Sequence, residues 1–232
     1  MGKEKALIVF AKAPRLGKVK TRLAVGLGEE AALRVYRQLA EGIWAKLRVA
    51  QKQGAFSLWL CFDPPEMKSE IRSWLEGADR YLPQISGNLG SRLASALNSA
   101  FSDGHQQVAV IGTDSPATTP ERILEAFSML GRGRIVLGPS LDGGFYLMAL
   151  ADPRPDLGNL LEEIPWSSPD TLAALVGGVR CLDLRFELLP YARDIDTPED
   201  LEAHCLSAEN AFSPLFNPLN CSIPGNPAPQ NL

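Results

Sequence analysis

The chain has 232 residues, of which 45% are hydrophobic, and its 23 Lys and Arg against 27 Asp and Glu give a net charge of −4. This length suits one domain of ordinary size, and the apolar content is enough for a full hydrophobic core. The acidic balance argues against wholesale nucleic-acid binding, so any positively charged site must be local.

Cysteine, histidine and hydropathy patterns exclude several other classes. The four cysteines are widely spaced without a C-x-x-C pair, and with only two histidines they predict no zinc cluster. The first apolar run, Ala6–Phe10, is too short for a secretory signal, and no run reaches membrane-spanning length. We therefore expect a soluble cytoplasmic protein with no membrane span and no nucleic-acid partner. The oligomeric state is left open, with a homodimer as one candidate.

Short apolar runs alternate with longer amphipathic segments, a pattern typical of βαβ units and a mostly parallel sheet. In the first half the pattern predicts a strand, a helix, a strand, a helix and a short strand, at 6–11, 28–53, 55–62, 66–75 and 81–85. In the second half it predicts helices at about 90–102, 119–130, 168–177 and from Thr197 onward, and strands at 107–111, 134–138, 145–150 and 179–184. Residues 153–166 are predicted to be irregular, with one helical turn as an alternative. Residues 1–206 are expected to form the domain, and 207–232 a Pro- and Asn-rich tail.

A basic loop follows the first predicted strand and concentrates positive charge in an acidic protein. Its cations are Lys12, Arg15, Lys18, Lys20 and Arg22. Ligands of open α/β sheets bind beyond the carboxyl ends of the strands, so this loop is a candidate diphosphate site. The alternative is a solvated basic loop, although Pro14 and Gly17 shape the segment. It is not a P-loop, because Val19 stands where Ser or Thr is needed.

Carboxylates at three later positions are candidates for metal and substrate binding. Asp114 stands at the carboxyl end of a predicted central strand and could hold a divalent cation, or it could cap the turn before Pro116. The Asp142–Gly144 segment could approach a sugar closely, or it could be a simple hairpin turn. Asp194 and Asp196 precede a predicted helix start, where one of them could be only a capping residue.

Six motifs occur together in an order that resembles one family. They are Lys12–Leu23, Asn88–Arg92, Ile111–Pro116, Gly138–Leu147, Ile164–Ser167 and Asp194–Leu201. The chain resembles the bacterial glycosyltransferase-A-like (GT-A) family labelled arsenosugar-biosynthesis-type glycosyltransferase, within the nucleotide-diphospho-sugar transferase superfamily. The resemblance implies a single α/β domain of GT-A (Rossmann-like) type, with a mostly parallel central sheet and helices on both faces.

The resemblance also implies roles for individual residues. The nucleotide diphosphate would be held by Lys12, Arg15, Gly17, Lys20 and Arg22. A divalent cation, Mg²⁺ or Mn²⁺, would be bound by Asp114 and Asp196. The sugar or acceptor would meet Asn88, Arg92, Asp142, Gly143 and Gly144. Two carboxylates of the family's third motif, Asp-Leu-Gly-Glu-Arg, are absent from the Asn88–Arg92 sequence of this chain.

Three functions are compatible with these residues. In the first, a sugar passes from a nucleotide-diphosphate donor to a small-molecule acceptor, with Lys20 and Arg22 stabilising the leaving group and Asp142 acting as base. In the second, a nucleotidyltransferase uses a nucleoside triphosphate and a phosphorylated acceptor at the same site. The third is a non-catalytic nucleotide binder.

Overall fold

A seven-stranded sheet forms the centre of the molecule in a computed structural model that describes residues 4–131 and 134–206. The strands are β1 (Lys5–Lys12), β2 (Ser57–Asp63), β3 (Arg80–Pro83), β4 (Gln107–Ile111), β5 (Arg134–Pro139), β6 (Phe145–Leu150) and β7 (Arg185–Leu188). The α-helices within the described residues are α1 (Thr21–Leu27), α2 (Glu29–Lys52), α3 (Lys68–Trp74), α4 (Leu89–Ser102), α5 (Pro120–Met129), α6 (Pro155–Glu163), α7 (Thr171–Cys181) and α8 (Pro198–Leu206).

The strand order is β3-β2-β1-β4-β6-β5-β7. Every neighbouring pair is parallel except those of β6, which runs antiparallel to both β4 and β5. The predicted α/β class with a mostly parallel sheet is therefore confirmed. From β1 the chain adds β2 and then β3 on one side of the sheet, and β4 and the later strands lie on the other side. The order therefore reverses between β1 and β4, and the crevice of a doubly wound sheet lies beyond the carboxyl ends of these two strands.

Alternating residues of the strands pack into two separate hydrophobic cores, one on each face of the sheet. Leu7 and Val9 of β1 pack in the core beneath α2, α3 and α5. Ala6 and Ile8 face the opposite core, which is covered by α4, α6 and α7. Both faces of β1 are fully buried, as expected for a central parallel strand. The predicted cover of helices on both faces is confirmed.

A third, smaller core joins the N-terminal and C-terminal parts of the described chain. Leu23 of α1 packs with Leu39 of α2, with Ile195 and with Leu201 of α8. This contact matters for the site because Lys20 immediately precedes α1, Arg22 lies in its first turn, and α8 begins at Pro198, shortly after Asp194–Asp196.

Several predicted elements need correction. The single helix predicted at 28–53 is preceded by α1, and Gly28 separates α1 from α2 with a φ of 81°, a conformation that glycine adopts readily. The strand predicted at 179–184 is wrong, because α7 continues to Cys181 and β7 begins only at Arg185. The predicted irregular segment 153–166 contains α6. The predicted tail, 207–232, lies outside the described residues.

No helix within residues 4–131 and 134–206 has the length and apolar character needed to cross a membrane.

Two glycines are expected to respond oppositely to alanine substitution. A Cβ on Gly90, near the start of α4, would overlap the backbone carbonyl of Leu161 in α6, so Gly90→Ala should destabilise the protein by about 1–3 kcal/mol. Gly177 lies in an exposed part of α7 with open space around it, so Gly177→Ala should stabilise the protein by about 0.5–1 kcal/mol. Urea unfolding midpoints measure both changes. Equal effects of the two substitutions would contradict the close packing of α4 on α6.

Candidate active site

A cleft of about 1000 Å³ opens beyond the carboxyl ends of β1 and β4. Eight of the residues predicted for the site line it: Lys12, Lys20, Arg22, Arg92, Asp114, Asp142, Gly144 and Asp196. They come from positions far apart in the chain, and the sheet topology brings them to one edge. Four other predicted residues, Arg15, Gly17, Asn88 and Gly143, are not among the lining residues.

The floor of the cleft is an ion-pair cluster around Lys20. Its Nζ lies 2.5 Å from Oδ1 of Asp114 and 2.8 Å from Oδ1 of Asp196. The Lys20 side chain is only 3% exposed, whereas the carboxylates are 45% and 35% exposed. Burial lowers the pKa of Lys20, but the two carboxylates outweigh it and the net pKa is raised. Lys20 therefore remains an ammonium ion.

The backbone around this cluster brings Asp114 and Asp196 together. After β7 the chain runs alongside the ends of β5 and β4, and Ile195 N donates a 3.0 Å hydrogen bond to the carbonyl of Asp114. The buried side chain of Ile195 anchors the segment in the third core. Beyond it, Thr197 accepts from Asp200 N, while Asp200 accepts from Thr197 N, so the predicted capping role belongs to Thr197. Asp196 is consequently left to face Lys20.

Asp194 also lines the cleft, and the predicted site did not include it. Its Oδ1 is buried without a hydrogen-bond partner among the described residues. Burial, helped by the negative charges of Asp114, Asp142 and Asp196 and opposed by a hydrogen bond from Ser115, raises the pKa of Asp194 to about 7. The floor of the cleft thus carries more carboxylates than the Lys20 ammonium neutralises.

Asp142 occupies the turn between the antiparallel strands β5 and β6, so the hairpin interpretation of this segment is correct. Its Oδ1 accepts hydrogen bonds from Ser140 Oγ and, at 3.0 Å, from the backbone N of Gly144. These bonds fix the carboxylate at the wall of the cleft. Gly143, with a φ of 90°, points toward the backbone of Pro169, where a Cβ would collide, and so packs this turn against the segment before α7.

Arg92 is held at another wall by neutral and charged partners. Its Nε donates to Gly87 O at 3.1 Å, and Nη1 donates to Gln84 Oε1 at 3.2 Å. Nη1 also lies 3.7 Å from Oδ2 of Asp63. Buried Gln84 is fixed in turn because its Nε2 donates to Cys61 O. Arg92 therefore presents a positioned guanidinium to the cleft.

The predicted residues outside the lining have structural contacts. Asn88 caps α4, because Oδ1 accepts from Ser91 N at 2.9 Å and Nδ2 donates to the carbonyl of Glu162. Gly17, with a φ of 68°, turns the basic loop beside the side chain of Glu29. Arg15 is exposed and its carbonyl accepts from Lys18 N. Lys18, which the predicted site omitted, does line the cleft.

Tyr36 of α2 supports the start of the basic loop, a role that sequence reasoning did not identify. Its hydroxyl accepts a hydrogen bond from Lys12 N and donates one to Lys12 O, each at 2.8 Å. Burial is the largest cause of a strongly raised pKa for Tyr36, so the phenol stays neutral and able to donate. In the sequence, Tyr36 is indistinguishable from the apolar residues at helical spacing along the same face of α2.

Two aromatic rings line the end of the cleft near Arg92. Phe145 and Trp166 make an edge-to-face contact with centroids 5.9 Å apart, and Trp166 Nε1 donates to Leu161 O at 2.9 Å. The cleft therefore has a polar floor with cations above it and a partly aromatic wall.

The carboxylate pair has the right chemistry for a divalent cation. Asp114 and Asp196 offer hard oxygen donors at the cleft, and the Lys20 ammonium between them shows that a positive charge fits there. Within the described ranges no group of three or more His, Cys, Asp or Glu side chains is arranged to hold a metal. Mg²⁺ commonly binds through one or two carboxylates plus waters and ligand phosphates, so two carboxylates are sufficient.

Comparison with protein families identifies the chain. The model of a family described as "Uncharacterized protein conserved in bacteria (DUF2064)" matches residues 46–168, just over half of the chain. The chain belongs to this family. No curated protein gives a significant sequence match.

Solved structures place this DUF2064 member by its fold. A candidate nucleotide-diphospho-sugar transferase from Desulfovibrio desulfuricans G20 is 28% identical, with a TM-score of 0.81 over 91% of this chain and 90% of that one. CMP:2-keto-3-deoxy-manno-octonic acid synthetase complexed with CTP is 12% identical, with a TM-score of 0.52 over 89% and 99% of the two chains. The 4-diphosphocytidyl-2C-methyl-D-erythritol synthase from Anaerococcus prevotii DSM 20548 is 13% identical, with a TM-score of 0.53 over 89% and 100%. The expected nucleotide-diphospho-sugar transferase superfamily is confirmed.

Replacing Tyr36 tests the support beneath the basic loop. Tyr36→Phe should cost about 1–3 kcal/mol of unfolding free energy, because it leaves the Lys12 backbone groups without their side-chain partner. Urea unfolding followed by circular dichroism measures the change. The matched control is Tyr191→Phe, since Tyr191 is 62% exposed and should tolerate the loss of its hydroxyl. Equal stability of the two variants would contradict the supporting role of Tyr36.

Proposed function

We propose that this protein is a metal-dependent glycosyltransferase, which moves a sugar from a nucleotide-diphosphate donor to a small-molecule acceptor. The observation that carries the proposal is the Asp114–Lys20–Asp196 cluster at the floor of a cleft whose rim bears further cations. The fold and the 28% identical candidate nucleotide-diphospho-sugar transferase support the same class. The resemblance to arsenosugar-biosynthesis-type glycosyltransferases agrees with sugar transfer and is proposed on that basis.

In this proposal the cations of the basic loop receive the diphosphate. Lys12, Lys18 and Arg22 line the cleft on the side of β1, and Arg22 is 67% exposed with its Nη1 3.9 Å from Asp196 Oδ2. A weakly paired guanidinium can turn toward a phosphate and bind it bidentately. Lys20 and Arg22 would then stabilise the negative charge that develops on the departing diphosphate.

The metal proposal assigns Mg²⁺ or Mn²⁺ to Asp114 and Asp196. When bound, the ion would supply positive charge to the diphosphate leaving group. The carboxylates themselves would orient the ion and keep the floor of the cleft attractive to positive charge. Asp194 would add to that field from a buried position behind them.

Asp142 is the proposed base for the acceptor hydroxyl. Because the hydrogen bonds from Ser140 and Gly144 both fall on its Oδ1, the Oδ2 atom is the one that would take the proton. The acceptor would lie between this carboxylate and the wall formed by Arg92, Phe145 and Trp166. Gly144 brings backbone close to that position and would add a contact without a side chain.

Nucleotidyl transfer is the second candidate because the number of cations at the cleft also suits a triphosphate. Two solved structures with the same fold are named a nucleotidyl transferase from Methanothermobacter thermautotroptrophicus and an inositol-1-phosphate CTP transferase from T. maritima. A purely non-catalytic nucleotide binder is the third candidate. The cytoplasmic location and the homodimer stay predictions.

Asp114 should be required for metal-dependent ligand binding. In a thermal shift assay with Mn²⁺, a nucleotide sugar or nucleoside diphosphate should raise the unfolding midpoint of the wild-type protein, because a ligand that binds only the folded state stabilises it. Asp114→Asn should remove most of that shift. The control is Asp183→Asn, since Asp183 is exposed, lies outside the cleft and has a φ of 54° that Asn also tolerates. If no nucleotide shifts the midpoint at millimolar concentration, the proposed function is wrong.

The reaction class can be decided from the phosphorus products. Incubation with Mg²⁺, which is diamagnetic, nucleotide sugars and a panel of small hydroxylated acceptors should release nucleoside diphosphate, as observed by ³¹P NMR. Asp142→Asn should slow that release while leaving the ligand-induced thermal shift in place, because the base acts on the acceptor and not on the diphosphate. Release of pyrophosphate from a nucleoside triphosphate and a sugar phosphate would instead establish nucleotidyl transfer.

A further inference from the structure

The carboxylate pair already holds a cation that belongs to the protein. Lys20 Nζ contacts Oδ1 of both Asp114 and Asp196, the two carboxylates proposed to bind a metal ion. The ammonium is buried beneath the carboxylates, whereas the carboxylates themselves face the cleft. The position between the two aspartates is therefore filled in the ligand-free protein.

The backbone directs Lys20 into this position. Lys20 has φ 49° and ψ 43°, a left-handed conformation that is uncommon for residues other than glycine. It precedes α1, whose Leu23 is fully buried in the third core together with Ile195. The packing that fixes the end of the basic loop is thus the packing that fixes the segment carrying Asp196, and the ammonium is built into the junction between them.

We propose that the Lys20 ammonium and a divalent cation are alternative occupants of the position between Asp114 and Asp196. A metal ion bound between the same two carboxylates would lie within a few ångströms of the ammonium and be strongly repelled by it, so the metal displaces Lys20. Displacement would leave a buried ammonium without a counter-charge, which is costly unless a new anion is supplied. A phosphate group entering the cleft supplies that anion.

The consequence is an ordered coupling between metal and ligand. The metal binds weakly by itself, because it must compete with Lys20, and strongly once a phosphate-bearing ligand can accept the ammonium. By linkage, the metal strengthens ligand binding by the same factor. This inference rests on the proposed function for the identity of the ligand, but its central claim concerns only the metal and Lys20.

The test is a Mn²⁺ titration without any nucleotide, followed by the electron paramagnetic resonance signal of free Mn²⁺. Lys20→Met, which keeps the apolar stem of the side chain but removes its ammonium group, should bind one Mn²⁺ at least tenfold more tightly than the wild-type protein. Lys18→Met is the matched control. It removes one positive charge from the same cleft, and no ion pair of Lys18 occurs within residues 4–131 and 134–206, so it should leave Mn²⁺ affinity close to that of the wild type.

A double variant tests whether the gained affinity depends on the carboxylate pair, and a second substitution at Lys20 is held in reserve. Adding Asp196→Asn to Lys20→Met should abolish the gained affinity, because one of the two carboxylates is lost. If Lys20→Met does not fold, as judged by circular dichroism, Lys20→Gln serves in its place. Equal Mn²⁺ affinity of the wild-type and the Lys20 variant, or an equal gain in Lys18→Met, would overturn the proposal. Since no nucleotide is present, failure of the proposed function would not affect this outcome.

Discussion

The structure of the cleft depends on one buried cation held by two carboxylates from distant parts of the chain. Lys20 follows β1, Asp114 follows β4, and Asp196 precedes α8, yet one ammonium contacts both carboxylates. A buried lysine is unfavourable unless its charge is compensated, and here the compensation comes from the residues that define the proposed metal site. The interaction therefore links the integrity of the fold at this edge to the charge state of the cleft.

The topology of the sheet explains why these three segments meet. Strands β1 and β4 are neighbours, but β1 leads outward to β2 while β4 begins the other half of the sheet. Chain segments that leave their carboxyl ends must diverge to opposite faces, which opens a crevice between them. The segment after β7 reaches the same crevice because it continues alongside β5 and bonds to the backbone at Leu141 and Asp114. This path of the chain brings the carboxylate of Asp196 to Lys20.

Local signals in the sequence were sufficient for most of the regular elements, and eight of the residues that the resemblance implies for the site line the cleft. Buried strands such as β1 and β4 are continuous apolar runs, and Thr197 followed by proline marks a helix start. These elements could therefore be predicted, together with the polar residues that follow the strands. The strand predicted at 179–184 failed because Val179 is buried equally well on the inner face of α7, and a short apolar run does not distinguish the two.

Residues whose role comes from long-range contacts could not be found in this way. Tyr36 and Gln84 act through hydrogen bonds to backbone atoms of other segments, and nothing in their immediate sequence indicates those partners. Asp194 is a similar case. The resemblance selects Asp196 as the metal ligand, and only the fold shows that Asp194 lines the same cleft with a buried Oδ1.

The charge balance of the cleft has a consequence for any anionic ligand. Asp114, Asp194 and Asp196 line the cleft around a single buried ammonium, and Asp142 stands at its wall. The pKa of Asp194, about 7, leaves that carboxylate only partly ionised at neutral pH. Under the proposed function, a diphosphate would be attracted by the cations of the basic loop but repelled by these carboxylates. A divalent ion bound with the ligand would neutralise the carboxylates and would leave Lys20 available to the phosphates. The same carboxylates would thereby disfavour a bare diphosphate and favour its metal complex.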